Sequence, residues 1–301
     1  MISILCIAGP TASGKTSLAI ELARRLGGEV VSADSQQVYR GLDAGTAKPT
    51  REERAAAPHH LLDVAEPGDG MDAVRWCALA DAAIAGIAGR GRLPIVAGGT
   101  GLYLRALLHG LADAPGREPA LRARLEAEAA SEGRPALHRR LAALDPAAAA
   151  AIGPNDLVRI VRALEIAASG RMQSELFAAH RFGEARYRFR LLALDPPRAE
   201  LHARIDARLP RLFDGLLHEA GRLLATRGGA LPPKLPLGYA EAAEVLLGQL
   251  ERAEALRRLQ VAHRRYARRQ VVWLRREPGV EWLSPAVDPG GLAGELARWR
   301  G

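Results

Sequence analysis

The sequence predicts an α/β protein: a parallel sheet flanked by helices and interrupted by an all-helical insertion. Three observations carry this. Short apolar runs ending in glycine or aspartate alternate with helical stretches up to about residue 113, the pattern of parallel strands joined by crossover helices. From 114 to 187 the composition is almost entirely helical, and "RFRLLALDPP" then restores a buried strand.

In order, Ile2–Ala8 reads as a strand, β-branched and apolar, closed by Gly9-Pro10. Ser17–Leu26 reads as a helix stopped by Gly27-Gly28. "EVVSADS" is a second strand, Ala73–Ala88 a helix and "LPIVAGG" a third strand. The insertion is punctuated at Gly133, Asp145-Pro146, Gly153-Pro154 and Gly170. After it come a long helix over Arg198–Arg227, a Pro/Gly-rich loop, a basic helix over Arg252–Arg276 and a last strand, "VEWL". The expected organisation is a discontinuous core of residues 1–113 and 188–286, an insertion of 114–187 and a C-terminal tail of 287–301.

Of 301 residues 48% are hydrophobic, ample for a core, but only 4% are aromatic, so Ala, Leu and Val must do most of the packing. The net charge of +8 suits a polyanionic partner. Cys6 and Cys77 have no metal-ligand spacing and read as small buried hydrophobes. No apolar stretch is long enough for a membrane span and no secretory signal is visible. A soluble, cytoplasmic protein is expected. Of 42 basic residues only Lys15, Lys48 and Lys234 are lysine. Where arginine is the default cation, each lysine calls for a reason.

"GPTASGKT", from Gly9 to Thr16, matches G-x-x-x-x-G-K-[ST] between a predicted strand and a predicted helix. Its glycines let the backbone curl so that N–H groups converge on oxygens, and the helix adds its positive end. Gly9, Pro10, Thr11, Ala12, Ser13, Gly14, Lys15 and Thr16 are therefore the expected phosphate-binding residues. Lys15 brings charge to the terminal phosphate, and the Thr16 hydroxyl can hold Mg²⁺. The motif makes the expected fold P-loop NTPase-like.

The motif does not name the phosphate's owner. A kinase would also place a metal-holding acid at a strand end, a form that "LLALD" (Asp195) and "VVSAD" (Asp34) both have. In an open parallel sheet, ligands sit beyond the carboxyl ends of the strands. "GPTASGKT", "ADSQQVYRGLDAGTAKP" and "GGTGLY" must then share one rim. The second offers an acid, a hydroxyl and two amides, suited to a base edge and a proton, although Asp34-Ser35 also fits a helix cap.

Together these loops resemble the tRNA dimethylallyltransferase family. So do "PHHLLD" (Pro58–Asp63), "NDLVRIVRALE" (Asn155–Glu165), "LHARIDAR" (Leu201–Arg208), "LGY" (Leu237–Tyr239) and "RRQVVWLR" (Arg268–Arg275), in family order over roughly residues 4–283. The resemblance implies transfer of a dimethylallyl group from dimethylallyl diphosphate to the exocyclic amine of the adenosine just 3′ of the anticodon in tRNA. It also implies a flipped base, Mg²⁺ and a cradle that holds the leaving diphosphate rather than ATP. It makes Asp34 the proton acceptor, Thr100 a residue near the reacting centre, and Lys15 and Arg208 the groups at the diphosphate. It assigns the target base to Asp34, Ser35, Gln36 and Gln37, and tRNA contacts to Arg122 and to Val158, Arg159, Ile160, Val161 and Arg162. Where many relatives carry basic residues around the "GY" pair, this chain has Leu235 and Ala240. Lys234 beside Gly238 and Tyr239 is expected to supply that charge.

Between Arg252 and Arg276 stand nine arginines and one acid, Glu254. Leu259, Ala262, Tyr266 and Trp273 recur at helical spacing and are expected to face the core. A solvated face is the ordinary fate of such a charge run, but an RNA substrate favours phosphate contact. Two other readings stand beside the prenyltransferase, expected as a monomer: a P-loop small-molecule kinase using ATP, and a non-catalytic RNA-binding P-loop protein.

Overall fold

The computed structural model describes residues 1–180 and 184–300. Residues 181–183 of the expected insertion and residue 301 lie outside the described residues. The chain opens with β1 (Ser3–Ala8), α1 (Lys15–Leu26) and β2 (Gly28–Ala33), followed by α2 (Arg51–Ala56), β3 (His59–His60), α3 (Ala73–Gly89), β4 (Leu93–Gly98) and α4 (Gly101–His109). The insertion holds α5 (Pro119–Glu132), α6 (Arg134–Leu144), α7 (Pro146–Ala151), α8 (Leu157–Ala168) and α9 (Gln173–His180). Then come β5 (Arg188–Leu194), α10 (Arg198–Thr226), α11 (Tyr239–Leu246), α12 (Arg252–Leu274), β6 (Val280–Leu283) and α13 (Pro289–Arg300).

The six strands form one parallel sheet in the order β3-β2-β4-β1-β5-β6. β2 and β4 are buried along their whole length and β1 nearly so, as strands covered on both faces must be. The register decides where function can lie. Ala8 pairs with Gly98 and with Ala193, and Ala33 pairs with Gly98. The carboxyl ends of β1, β2, β4 and β5 are thus level, and the phosphate loop, the Asp34 loop and the Thr100 turn leave the sheet side by side.

The described chain divides into two compact units, Met1–Leu108 with Ala185–Gly301, and His109–Glu184. The helical unit has its own core of Leu121, Leu125, Leu137, Leu141, Ile160 and Leu164. His59-His60 forms an edge strand against the middle of β2, with His60 Nε2 2.7 Å from the buried Glu29 carboxylate. One local expectation changes. Residues 287–301, expected as a tail, contain helix α13. Asp288 caps it by accepting from the Gly290 and Gly291 amides, and Leu292, Ala293 and Leu296 pack into the cluster that holds Leu18, Leu22 and Ala23 of α1. Gly290-Gly291 disguised its start, yet the i, i+4 pair of leucines makes it amphipathic.

Candidate active site

Residues 11–16 form one side of a cavity of about 130 Å³ that is also lined by Asp34, Gln37, Thr46, Ala47, Ala97, Gly98 and Arg208, while Gly9 and Pro10 precede it without lining it. Gly14 stands at φ 93°, in the left-handed region, as the N-cap of α1. It offers no side chain to the first turn, and that turn carries no acid. The helix N-terminus therefore meets the cavity with its amides open to an anion. The buried Ser13 hydroxyl has no hydrogen-bond partner. Lys15 donates to the Pro10 carbonyl at 3.3 Å. Burial pushes its pKa down to about 8, against the opposing pull of Asp34. Arg208 reaches in from α10 and donates to the Thr11 hydroxyl at 2.5 Å, while its buried Nε has no partner. Burial lowers this guanidinium too, and Asp34 again opposes.

Asp34 faces these cations across the cavity. One of its oxygens accepts from the Gln36 amide at 2.9 Å, an Asx turn. No helix follows Asp34, so the expected helix cap is instead a turn that includes the site acid. Thr100 Oγ1 accepts from the Ser35 amide at 2.9 Å and lies 3.2 Å from the Ser35 hydroxyl, so the Thr100 turn is bound to the Asp34 loop. Gln37 Oε1 accepts from the Ser32 hydroxyl at 3.2 Å and its amide donates to the Ala47 carbonyl at 3.1 Å. Lys48 is explained as well: it is buried and donates to the Tyr39 carbonyl, Asp43 and Asp63, pinning the long loop.

The sequence reading missed the inner face of α12. Its buried residues are Ala255, Leu259, His263, Ala267, Gln270 and Leu274. Leu259 is there as expected, but Ala262, Tyr266 and Trp273 flank that face, which is turned toward the rim by polar contacts. The Gln270 amide accepts from Thr11 N at 2.8 Å and donates to the Gly99 carbonyl at 3.0 Å. Tyr266 lies beside the side chains of Gln36 and Thr100. His263 sits beside Arg208 with neither ring nitrogen partnered, and burial, then Arg208, push its pKa down to about 4. A polar residue inside an apolar helical stripe was the available signal for His263 and Gln270.

Other expected residues lie elsewhere. Tyr239 is fully buried and its hydroxyl donates to the buried Glu219 at 2.5 Å, while Gly238 is buried beside Leu216. This corrects their expected contact with tRNA: the pair anchors a loop, since Glu219 also accepts from the Asp43, Ala44 and Gly45 amides. Lys234 is exposed. In the helical unit Ile160 and Val161 are core residues, whereas Val158 is 71% exposed and the Arg159 side chain 69%. Arg122 forks onto Glu165 at 3.2 and 2.6 Å, and Arg162 donates to the Pro115 carbonyl at 2.6 Å. Asp195, the acid a kinase reading would use, is outside the cavity. It lines a separate cleft with Glu200, Arg204 and Trp282, 4.0 Å from Arg275.

A phosphate loop after a central parallel strand, facing an acid on the adjoining loop, defines an enzyme core of the P-loop NTPase-like type. A family model described as IPP transferase matches residues 37–277, and one described as isopentenyl transferase matches residues 2–65. A tRNA dimethylallyltransferase of Anaeromyxobacter dehalogenans is 72% identical over 291 residues, 96% of this chain and 97% of the relative. The crystal structure of the tRNA isopentenylpyrophosphate transferase of Bacillus halodurans matches with a TM-score of 0.70 at 38% identity, over 99% of this chain and 95% of that one. A eukaryotic dimethylallyltransferase acting on tRNA matches with a TM-score of 0.77 at 27% identity, over 95% and 74%. The chain belongs to the tRNA dimethylallyltransferase family, the IPP transferases.

Proposed function

We propose that this protein transfers the dimethylallyl group of dimethylallyl diphosphate to N6 of the adenosine immediately 3′ of the anticodon in tRNA, releasing diphosphate. The observation that carries this is the single cavity in which Asp34 faces Lys15, Arg208 and the open first turn of α1. An allylic C–O bond breaks with positive charge growing on carbon and negative charge on diphosphate. The loop amides, Lys15 and Arg208 are fixed where that anion forms. The N6 nitrogen bonds to carbon as the C–O bond breaks, and Asp34 takes the proton that N6 loses. Taking the base out of its stack exposes the amine. Thr100, tied to Ser35, holds the acceptor loop toward the reacting atoms.

Mg²⁺ fits this donor set as a companion of the diphosphate. Among the described residues no group of three or more His, Cys, Asp or Glu could cage a metal, but Mg²⁺ is commonly held by few protein oxygens together with substrate phosphates. Thr16 in the cavity wall would hold it, and when bound it would neutralise charge on the leaving diphosphate. The tRNA is assigned to the exposed arginines of α12 and, on the helical unit, to Val158 and Arg159. The same reading makes the protein a cytoplasmic monomer. No described helix is long and apolar enough to cross a membrane.

The kinase alternative finds no support among the relatives, and Asp195 stands apart from the cradle. Incubating the protein with an anticodon stem-loop and dimethylallyl diphosphate, and separately with ATP, tests the proposal. RNA heavier by one prenyl unit is expected in the first mixture. Phosphate transfer in the second with no prenylation in the first would overturn it.

A further inference from the structure

The β1–β4 ladder ends at Ala8 and Gly98. Past that point the phosphate loop and the Thr100 turn are held in register by one side chain from a distant helix. Gln270 is buried, and its amide accepts from Thr11 N and donates to the Gly99 carbonyl. The fit is close on both sides: a Cβ on Gly99 would lie 2.1 Å from the Gln270 nitrogen. Each end of this bridge continues into the site. Thr11 bonds Arg208 through its hydroxyl, and Thr100, next to Gly99, holds the Ser35 amide. α12 is itself fixed by the buried Ala267 and Leu274, and by Glu277 just past its end, which accepts from Arg105 Nε at 3.0 Å.

We propose that Gln270 is a positioning residue that sets the phosphate loop against the Thr100 turn, so that donor and acceptor halves of the site keep their spacing. The donor and acceptor here are those of the proposed prenyl transfer. Glutamine suits the task because one planar amide supplies an acceptor and a donor together. Glutamate has the same shape and keeps the acceptor for Thr11 N, but sets a carboxylate oxygen against the Gly99 carbonyl. Alanine removes both bonds and leaves a buried amide and a carbonyl unpaired.

Three measurements on the full chain test this: binding of inorganic diphosphate with Mg²⁺ by calorimetry, stem-loop affinity, and kcat and KM for prenylation. For folded Gln270→Ala and Gln270→Glu, diphosphate affinity is expected to fall about tenfold and kcat at least as far, while stem-loop affinity stays within about twofold. If Gln270→Ala melts early, the isosteric Gln270→Glu decides. Diphosphate affinity and kcat unchanged within twofold would overturn the proposal. So would a loss of stem-loop affinity parallel to the loss of kcat, which marks a merely structural role. If the unaltered protein binds diphosphate but does not prenylate RNA, the proposed function fails, and the diphosphate measurement still judges Gln270.

Discussion

Arg208 donates one guanidinium nitrogen to the Thr11 hydroxyl at 2.5 Å and keeps its buried Nε without a protein partner. The fork is held by one prong and offers the rest to the cavity, a pre-set geometry for phosphate oxygens. Lysine cannot reproduce two such contacts. Arg208→Lys is expected to lower kcat roughly 100-fold, as loss of one pre-organised electrostatic group does, with stem-loop affinity retained. Single-turnover kinetics at saturating donor check this; a change of less than about threefold would remove Arg208 from the chemistry.

In the proposed reaction Asp34 accepts the N6 proton, and an asparagine oxygen in its place can still accept from the Gln36 amide. Asp34→Asn should therefore keep the loop and the RNA affinity while losing on the order of 10²–10⁴ in turnover. Prenylation rate and filter binding on the same preparation test it. Unchanged turnover would exclude Asp34 as the base.

Lys15 carries a pKa pushed down to about 8 by burial. Its ammonium is charged below that pH, so diphosphate affinity is expected to decline as pH rises through 8, with proton uptake on binding near pH 8–9 that Lys15→Met abolishes. The stability effect has the opposite direction. The unfolded chain keeps this proton up to about 10.5 while the fold releases it near 8, so this residue's contribution to stability rises between those values. Calorimetry in two buffers of different ionisation enthalpy, and denaturant midpoints against Lys15→Met, check both signs.

Glu219 accepts three backbone amides and the Tyr239 hydroxyl in a buried site. Glu219→Ala leaves those donors unpaired and is expected to cost on the order of 3 kcal/mol of stability. Tyr239→Phe removes one bond and should cost about 1–2 kcal/mol, with tRNA affinity unchanged. Denaturant unfolding measures the first pair of effects. A tenfold loss of tRNA affinity in Tyr239→Phe would restore it to the interface.

The arginines of α12 divide into two sets. Arg252, Arg257, Arg258 and Arg264 face acids: Asp214 at 2.6 Å, Glu254 at 2.7 and 3.1 Å, and Asp206. Arg265, Arg268 and Arg269 are exposed and have no acidic partner among the described residues. Arg265→Ala with Arg268→Ala is expected to weaken tRNA binding and to flatten its salt dependence by about one unit of slope per arginine. Arg257→Ala with Arg258→Ala should change neither by much. Affinities across a salt series distinguish the two pairs.

The strand-helix alternation, the cradle and the shared rim were legible in the sequence because each rests on local pattern: apolar runs, glycine punctuation, strand ends. What stayed hidden depends on distance in sequence. Gln270 meets Thr11 across 259 positions, and no spacing in "RRQVVWLR" announces that. Tyr239 beside Gly238 resembles an exposed recognition pair until Glu219 is seen behind it. Ile160 and Val161 share a motif with Arg159, but a helix turning about 100° per residue carries them round to the core, and only Val158 and Arg159 of the five turn fully outward. Leu292 and Leu296 were short of turns to prove a helix on their own.

Those two leucines also bear on how the protein is made. They close over α1, the helix whose first turn lines the cavity. Translation delivers α1 long before its cover, so during synthesis the apolar side of α1 waits until Leu292 and Leu296 have left the ribosome. Nascent chains stalled before residue 292 should leave that side of α1 open to proteases and chaperones.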